Sequence, residues 1–380
     1  SSEMAERLGF EILARDGASR CARLVTTHGV IQTPAFQPVA TYGAVRGVAP
    51  TDLAELGAQV LLANAYHLHE RPGEELVARS GGLHGFTGWH GPWLTDSGGF
   101  QVTSLADRVR IDEEGLTFAS PLDGRRRHLT PERAMEIQQS LGADIAMALD
   151  ECQPPDPHEG PSRGLRAEAA MERTLRWAGR CRSHHSRPDQ ALLGIVQGGD
   201  SPELRRRSAR ATVEIGFDGY AHGGLGLGEE RERRNDLLSE THELLPTDRP
   251  RYLMGLGRPE DLLQAIERGI DLFDCVVPTR HARHGVVFTH AGQLSLRNAR
   301  FRGDDAPLDE ACDCPTCAHH SRAFLAHLFR VRELLGSRLA SLHNLRFYLR
   351  IMQRARQAIA QGRLAALREE ILSLAGERIR

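Results

Sequence analysis

The chain has 380 residues and a formal net charge of −2, and all 48 of its basic residues are arginine. Without lysine, mechanisms built on a Schiff-base or phosphate-loop lysine are excluded, and with no apolar run of about 18 residues no membrane-spanning helix is expected. Seven cysteines, an odd number, and an acidic, polar start at Ser1–Phe10 without a signal-peptide pattern fit neither a disulfide framework nor secretion, so a cytoplasmic location is expected.

One unit recurs in chain order: a helix opened by proline, a glycine stop, an apolar strand, then polar residues. Ala49-Pro50-Thr51-Asp52 opens the first helix, Gly57 ends it, and a strand at Gln59–Ala63 leads to Asn64. A further strand is predicted at Gly91–Thr95. Thr130-Pro131-Glu132 opens the second copy, Gly142 ends its helix, and Asp144–Leu149 runs into Asp150. After a strand at Leu192–Val196, Ser201-Pro202-Glu203 opens a helix that stops at Gly216, ahead of Tyr220–Gly224. Arg258-Pro259-Glu260 opens the last, with Gly269 as its stop, Asp271–Phe273 as its strand and Asp274 behind it. A cap, proline at the first helical position, an acid in the first turn and a terminal glycine satisfy the free groups at helix ends. Helix–strand alternation of this kind builds a mostly parallel sheet covered by helices. A doubly wound open sheet and an α/β barrel both satisfy it. Distinctive polar segments follow at least six strands, and a barrel gathers all its strand ends on one rim, so an α/β barrel is predicted over residues 1–300; its count of eight strands, (β/α)8, comes only from the family resemblance given below. From about residue 300 a cysteine-rich loop precedes arginine-rich helices at Ser321–Leu335, Ser341–Gln361 and Arg363–Leu374. Residues 301–380 are expected to form a zinc-binding subdomain with C-terminal helices.

Cys312-x-Cys314-x-x-Cys317 puts three thiolates in one loop, a set suited to tetrahedral zinc. The fourth ligand could be His319, His320 or His343, among which spacing does not choose. Thr95-Asp96-Ser97-Gly98-Gly99-Phe100-Gln101 is a glycine turn after a strand, which lets backbone approach a ligand and frees an acid to point at it. Asp150-Glu151-Cys152 and Asp274 also follow apolar strands. A carboxylate at the end of a buried parallel strand is costly unless paired or used. Three such acids, Asp96, Asp150 and Asp274, on one rim point to chemistry at a glycosidic carbon, where one carboxylate attacks and another handles the leaving group's proton. The glycine loops Gly194–Gly199 and His222–Glu229 lack dinucleotide spacing; their amides, with Gln197, could read the edge of a planar base. Arg280 and Arg283, in Thr279–His284, with Arg297, Arg300 and Arg302 behind them, suit phosphate and base recognition.

Together these segments resemble the tRNA-guanine transglycosylase family, from about Phe10 to His343. The motifs that carry the resemblance are Phe36-Gln37-Pro38-Val39, Tyr66-His67-Leu68, Thr95–Gln101, Asp150-Glu151-Cys152, Gly194–Gly199, Gly223–Glu229, Met254–Asp261, Phe273–Arg280, and Cys312–Cys317 with His343-Asn344. The resemblance implies a zinc-bearing TIM barrel that acts as a homodimer. Its bacterial members replace guanine at the wobble position of queuosine-type tRNAs (GUN anticodons) with the free base 7-aminomethyl-7-deazaguanine. It implies Asp274 as nucleophile and Asp96 as the proton acceptor and donor. Asp150, Gln197 and the Gly224 amide would read the base, the Leu225 carbonyl would face the aminomethyl group, and Phe100 and Met254 would be stacking walls. Ser97, Gly98, Gly99 and Cys152 complete the implied substrate pocket. The implied tRNA contacts are Gly255, Leu256, Gly257, Arg258, Pro259, Glu260 and Asp261, and Thr279, Arg280, His281, Ala282 and Arg283. One structural zinc per chain would rest on Cys312, Cys314, Cys317 and His343. Neither ATP nor a redox cofactor is required.

The sequence departs from the bacterial pattern at Gly226 and Leu227, where a small residue and valine are usual, at His284 in place of asparagine, and at Gln37 in place of methionine. Leu227 would narrow the pocket near the base substituent. The alternatives are a hydrolytic nucleosidase or glycosidase on the same barrel and a non-catalytic tRNA-binding paralogue; retention of both Asp96 and Asp274 opposes the second.

Overall fold

The computed structural model describes residues 8–105, 109–152 and 162–375. Residues 1–7 of the polar start and 376–380 of the expected C-terminal region lie outside the described residues. Eight parallel strands close into a barrel in chain order: β1 (Ala35–Ala40), β2 (Leu61–Ala63), β3 (Trp93–Thr95), β4 (Ile145–Met147), β5 (Ala191–Val196), β6 (Gly219–His222), β7 (Arg251–Leu253) and β8 (Leu272–Cys275). Closure is made by β8 on β1, which sets Asp274 opposite Gln37. The barrel reading therefore holds, and the predicted strands all exist, though most are shorter. Asp274 lies within β8 rather than behind it. The sequence reading passed over β1, whose Gln37 and Pro38 break the apolar run, and β7, three residues between Pro250 and Met254.

The helix punctuation operates as the residue types dictate. Thr130 accepts the Arg133 N–H at 3.1 Å and Ser201 that of Leu204 at 3.3 Å. Pro131, Pro202 and Pro259 open their helices, and Gly142 ends its own at φ 75°. Leu62, Leu94, Ile145, Met147, Leu193, Ile195 and Tyr252 fill the barrel. Its floor is an antiparallel sheet of Gly9–Asp16, Ser19–Thr26 and Gly29–Thr33, which adds Leu24 and Ile31 to the same core. Two acids at the starts of strands anchor that floor. Asp271 pairs with buried Arg20 at 2.8 Å, and Asp144 takes His28 at 2.7 Å and His84 at 2.9 Å. Conversely, the acids Asp96, Asp150 and Asp274 sit at the opposite ends, on the rim where barrels carry chemistry.

The C-terminal helices span Arg322–Val331, Leu334–Ala360 and Leu364–Leu374. The expected break between residues 335 and 341 is instead at Arg332, which adopts a left-handed φ of 59° and donates its N–H to the Leu328 and Phe329 carbonyls. The long helix lays Tyr348, Ile351, Met352 and Ala355 against Phe36 and Phe273, so barrel wall and C-terminal helices share one apolar cluster. A further antiparallel sheet, Arg110–Asp112, Gly115–Ala119 and Arg126–Leu129, lies between β3 and β4 and was not foreseen. Among the described residues, no helix is long and apolar enough to cross a membrane.

Candidate active site and metal centre

Asp96 follows β3 directly. Its Oδ1 accepts the Ala65 N–H at 3.0 Å; its Oδ2 accepts Asn64 Nδ2 at 3.1 Å and Gln101 Nε2 at 2.9 Å. The turn needs its glycine, because Gly98 has φ +86° and a Cβ there would lie 2.8 Å from that of Tyr66. Burial, reinforced by the nearby Asp274 charge, lifts the Asp96 carboxyl to about 7 against the pull of these donors.

Asp274 is the more open of the two acids, half-buried where Asp96 is 7% exposed. Its Oδ1 accepts the Tyr252 hydroxyl and, at 3.0 Å, the Gly255 N–H. Burial raises its pKa and both donors oppose the rise. One buried acid able to hold a proton near neutrality therefore lies near a second whose Oδ2 takes no hydrogen bond from the described residues, the arrangement that glycosidic displacement needs.

Beside them, Asp150 accepts Gln197 Nε2 at 2.6 Å, and burial lifts its pKa to about 6. Gln197 follows β5 and lies against Gly223 and Gly224, which follow β6. A Cβ on Gly223 would meet Gln197 Nε2 at 2.5 Å, and one on Gly224 would meet Oε1 at 2.5 Å. These glycines make room for an amide. Cys152 is buried, and desolvation and the Asp150 charge push its thiol up to about 12, which disqualifies it as a nucleophile. Ser97 Oγ accepts the Gly99 N–H, Leu225 is buried, Met254 is half-buried and Phe100 is exposed. Gln37 is fully buried, with its Nε2 3.4 Å from the Phe273 carbonyl and its Oε1 unpartnered.

The two arginine-bearing segments divide by burial. In Gly255–Asp261, Gly255 and Arg258 face solvent, while Leu256, Gly257 and Pro259 are buried. Glu260 and Asp261 turn inward to Arg231 at 3.0 Å and Arg234 at 2.7 Å. In Thr279–Arg283, Thr279 and Ala282 are buried, Arg280 is exposed, and His281 and Arg283 are half-buried. Arg283 lies close enough to Arg46 and Arg280 for desolvation and then their charges to depress its pKa. None of Arg46, Arg258, Arg280 and Arg283 pairs with a carboxylate among the described residues.

Cys312, Cys314, Cys317 and His343 bring their donor atoms within 4.8 Å of one another. His343 Nδ1 lies 3.3 Å from Cys317 Sγ and 3.6 Å from Cys314 Sγ, and Nε2 donates to the Phe288 carbonyl at 2.6 Å. That bond fixes the tautomer and leaves Nδ1 as the ligand atom. The open choice among three histidines is thus resolved, since His319 and His320 stand outside the group. Three thiolates and an imidazole fit a closed four-coordinate metal site.

Sequence reasoning missed Tyr252, which lies in the unrecognised β7, and Arg46 and Arg205, single arginines among many. Asn64 and Gln101 were in view as polar residues after strands but carried no assigned role.

A closed parallel barrel with coupled acids on its C-terminal rim and a Cys3His metal group defines an α/β-barrel enzyme with an attached metal centre. The family model described as queuine tRNA-ribosyltransferase matches residues 16–376. A queuine tRNA-ribosyltransferase from Thermus thermophilus is 56% identical over 355 residues, 93% of this chain and 91% of that one. Those of Solidesulfovibrio magneticus and Thioalkalivibrio sulfidiphilus are 52% identical over 96% of this chain and 97% of theirs, and 50% identical over 94% and 95%. The chain belongs to the queuine tRNA-ribosyltransferase family, and it is a transferase.

Proposed function

We propose that this enzyme exchanges guanine at the anticodon wobble position of queuosine-type tRNAs for 7-aminomethyl-7-deazaguanine by double displacement. The observation that carries the proposal is the pairing of half-open Asp274 with buried Asp96, whose pKa of about 7 suits a group that gives and takes a proton at neutrality. The free Oδ2 of Asp274 attacks the ribose anomeric carbon; the C–N bond breaks, a ribosyl–aspartate ester forms, and the departing guanine takes the Asp96 proton. The incoming base returns a proton to Asp96 and attacks the same carbon, releasing Asp274. Two inversions retain configuration, and the bond is remade without ATP.

Asp150 accepts the base's N–H groups, and the Gln197 amide and Gly224 N–H donate to its carbonyl. The Leu225 carbonyl faces the aminomethyl group, with Leu227 narrowing that end. Phe100 and Met254 stack on the ring, and Ser97, Gly98, Gly99 and Cys152 line the rest. Arg258, Arg280 and Arg283, joined by Arg46, hold the anticodon arm; the inward-facing Glu260 and Asp261 act by bracing that rim. Cys312, Cys314, Cys317 and His343 would hold one zinc ion per chain, which when bound cross-links the cysteine loop to the long helix. Phe324, Val331, Leu334 and Leu335 are exposed apolar side chains, and a second copy of the chain is the partner proposed to cover them.

Incorporation of labelled guanine into unfractionated tRNA tests the reading. Exchange that requires added free base is expected, together with a covalent tRNA adduct on denaturing gels. Release of guanine without incorporation would support the hydrolytic alternative instead.

A further inference from the structure

We infer that Arg205 is the positioning residue that locks the Gln197 amide and the Gly224 N–H into one carbonyl-reading pair, and so selects 6-oxopurines over 6-aminopurines. The inference rests on the proposed base-exchange reading and deepens it.

Arg205 stands in the first turn of the helix Pro202–Ile215 and is 0% exposed. Its guanidinium spans the two glycine loops of the base pocket. Nε donates to the Gly199 carbonyl at 2.8 Å, and Nη1 donates to those of Val196 at 3.1 Å and Gly223 at 2.8 Å. Val196 and Gly199 bracket Gln197, and Gly223 precedes Gly224. One planar fork thus fixes the spacing of both donors. A lysine ammonium or an aliphatic side chain could not bridge three carbonyls in that geometry.

Burying a cation among uncharged carbonyls is costly. The Glu229 and Asp200 carboxylates act on Arg205 only through space, and desolvation depresses its pKa to about 10. Its Nη2 is buried and has no hydrogen-bond partner. That nitrogen lies 3.5 Å from the point where a Gly224 Cβ would stand, and Gln197 Oε1 lies 2.5 Å from the same point. The Gln197 amide therefore has its oxygen on the Arg205 side and its nitrogen on the Asp150 side, 2.6 Å from that carboxylate. Turning the amide over would set its N–H groups toward a cation and its oxygen against an anion. Held as it is, the Gln197 amide and the Gly224 N–H are both directed to the Cys152 side of the pocket, where a ligand carbonyl would accept from the two together. Two fixed donors accept a carbonyl and reject an amino group.

Guanine and 2,6-diaminopurine differ in the 6-substituent and, with it, in the N1 proton that Asp150 would accept; Asp150 is unaltered in every variant, so a change of preference on substituting Arg205 reads the 6-position, and the two bases are the probes. Binding of each to the metal-loaded enzyme is measured by calorimetry for wild type, Arg205→Met, Arg205→Gln and Arg205→Lys, with melting temperatures recorded alongside. The wild type should bind guanine at least 100-fold more tightly than 2,6-diaminopurine. Arg205→Met and Arg205→Gln should lose at least tenfold of that preference while binding tRNA within about twofold of wild type, and Arg205→Lys should fall between. If Arg205→Met does not fold, the same ratio is read from the other two. An unchanged preference in folded variants, or equal losses for both bases, would overturn the inference. Wild type that discriminates between the bases but exchanges none into tRNA would instead overturn the exchange reading alone.

Discussion

Tyr252 donates its phenolic hydrogen to Oδ1 of Asp274 across the β7–β8 pair, next to the Gly255 N–H on the same oxygen. Burial, then the Asp274 charge, holds the phenol well above its ordinary pKa, so it remains a donor throughout the working range. With Oδ1 doubly engaged, Oδ2 is the oxygen that the proposed displacement would use. Tyr252→Phe keeps the ring's packing and removes one donor that stabilises the Asp274 carboxylate. The acid limb of the kcat/KM–pH profile should move upward, and the rate at neutral pH should fall at least about tenfold, in line with the ~1.5–3 kcal/mol of a hydrogen bond to a charged group. Superimposable acid limbs for the two enzymes would exclude this role.

The two rim acids should separate in their effects. Asp274→Asn keeps size and removes the nucleophilic charge, so no covalent tRNA adduct should survive denaturing electrophoresis. Asp96→Asn should slow exchange by roughly 10²–10⁴ while tRNA affinity changes little, because proton transfer is what it loses. Wild-type exchange by either variant would refute that residue's assignment.

Asp96 also makes a stability prediction. Its folded pKa of about 7 lies above the unfolded carboxylate value near 4, so its contribution favours folding at low pH and is lost as pH rises from about 4 to about 7. Asp150, raised to about 6, acts in the same direction over a narrower window. Glu74, whose pKa burial opposes but its partners His69 and Arg133 lower to about 2, acts with opposite sign and only below pH 4. Asp96→Asn should therefore melt higher than wild type at pH 8, by an amount that shrinks toward pH 5. The shift sets an upper bound of roughly 4 kcal/mol on the gain. A melting-temperature difference independent of pH between 5 and 8 would contradict the raised pKa.

Much of this was legible in the sequence because punctuation and periodicity are local. Proline, cap and glycine at fixed offsets mark where helices begin and end, and polar residues behind apolar strands mark the rim. What was not legible is non-local. β7 shows no pattern in three residues, and its identity as a strand comes from pairing with its neighbours; with it Tyr252 was lost. The Arg332 break was misplaced because leucines on both sides read as continuous helix, and a left-handed arginine is not a residue type that announces a stop. Glu260 and Asp261 looked available for recognition, but whether an acid faces solvent or Arg234 depends on the packing of two helices distant in sequence. Arg205 is indistinguishable from Arg206 and Arg207 beside it until the fold buries one of the three.

The metal group predicts coupled loss of ion and local structure. His343 reaches the cysteines from the long helix while its Nε2 ties to Phe288 in the hairpin Val286–Ser295, so three segments depend on one centre. One zinc per chain should copurify. Cys314→Ser should lose it, render the region around residues 286–320 sensitive to protease, and lower the melting temperature of the barrel that shares an apolar cluster with it. Stoichiometric metal in a variant lacking Cys312, Cys314, Cys317 and His343 would refute the site.

The rim arginines bear on how a slightly acidic protein holds a polyanion. With a net charge of −2, bulk attraction is unavailable, and binding must come from cations left free. Most arginines here are committed, as Arg231 and Arg234 are to Glu260 and Asp261, whereas Arg46, Arg258, Arg280 and Arg283 have no carboxylate partner among the described residues. Arg280 and Arg283 lie six and nine residues beyond Asp274, in the helix Val277–Arg283, and the Arg46 and Arg280 charges act against that of Arg283, a repulsion that the proposed phosphate contact would relieve. Arg280→Ala and Arg283→Ala should each weaken tRNA binding by roughly 1–3 kcal/mol, and Arg46→Ala by a similar amount. A variant that loses a phosphate contact should also flatten the slope of affinity against salt by about one unit. Guanine affinity should stay within about twofold, because Asp150, Gln197 and Gly224 belong to other loops. tRNA affinity over a salt series, with free-base affinity beside it, distinguishes the outcomes. Equal losses for both ligands would mean that this helix shapes the base pocket rather than gripping the anticodon arm.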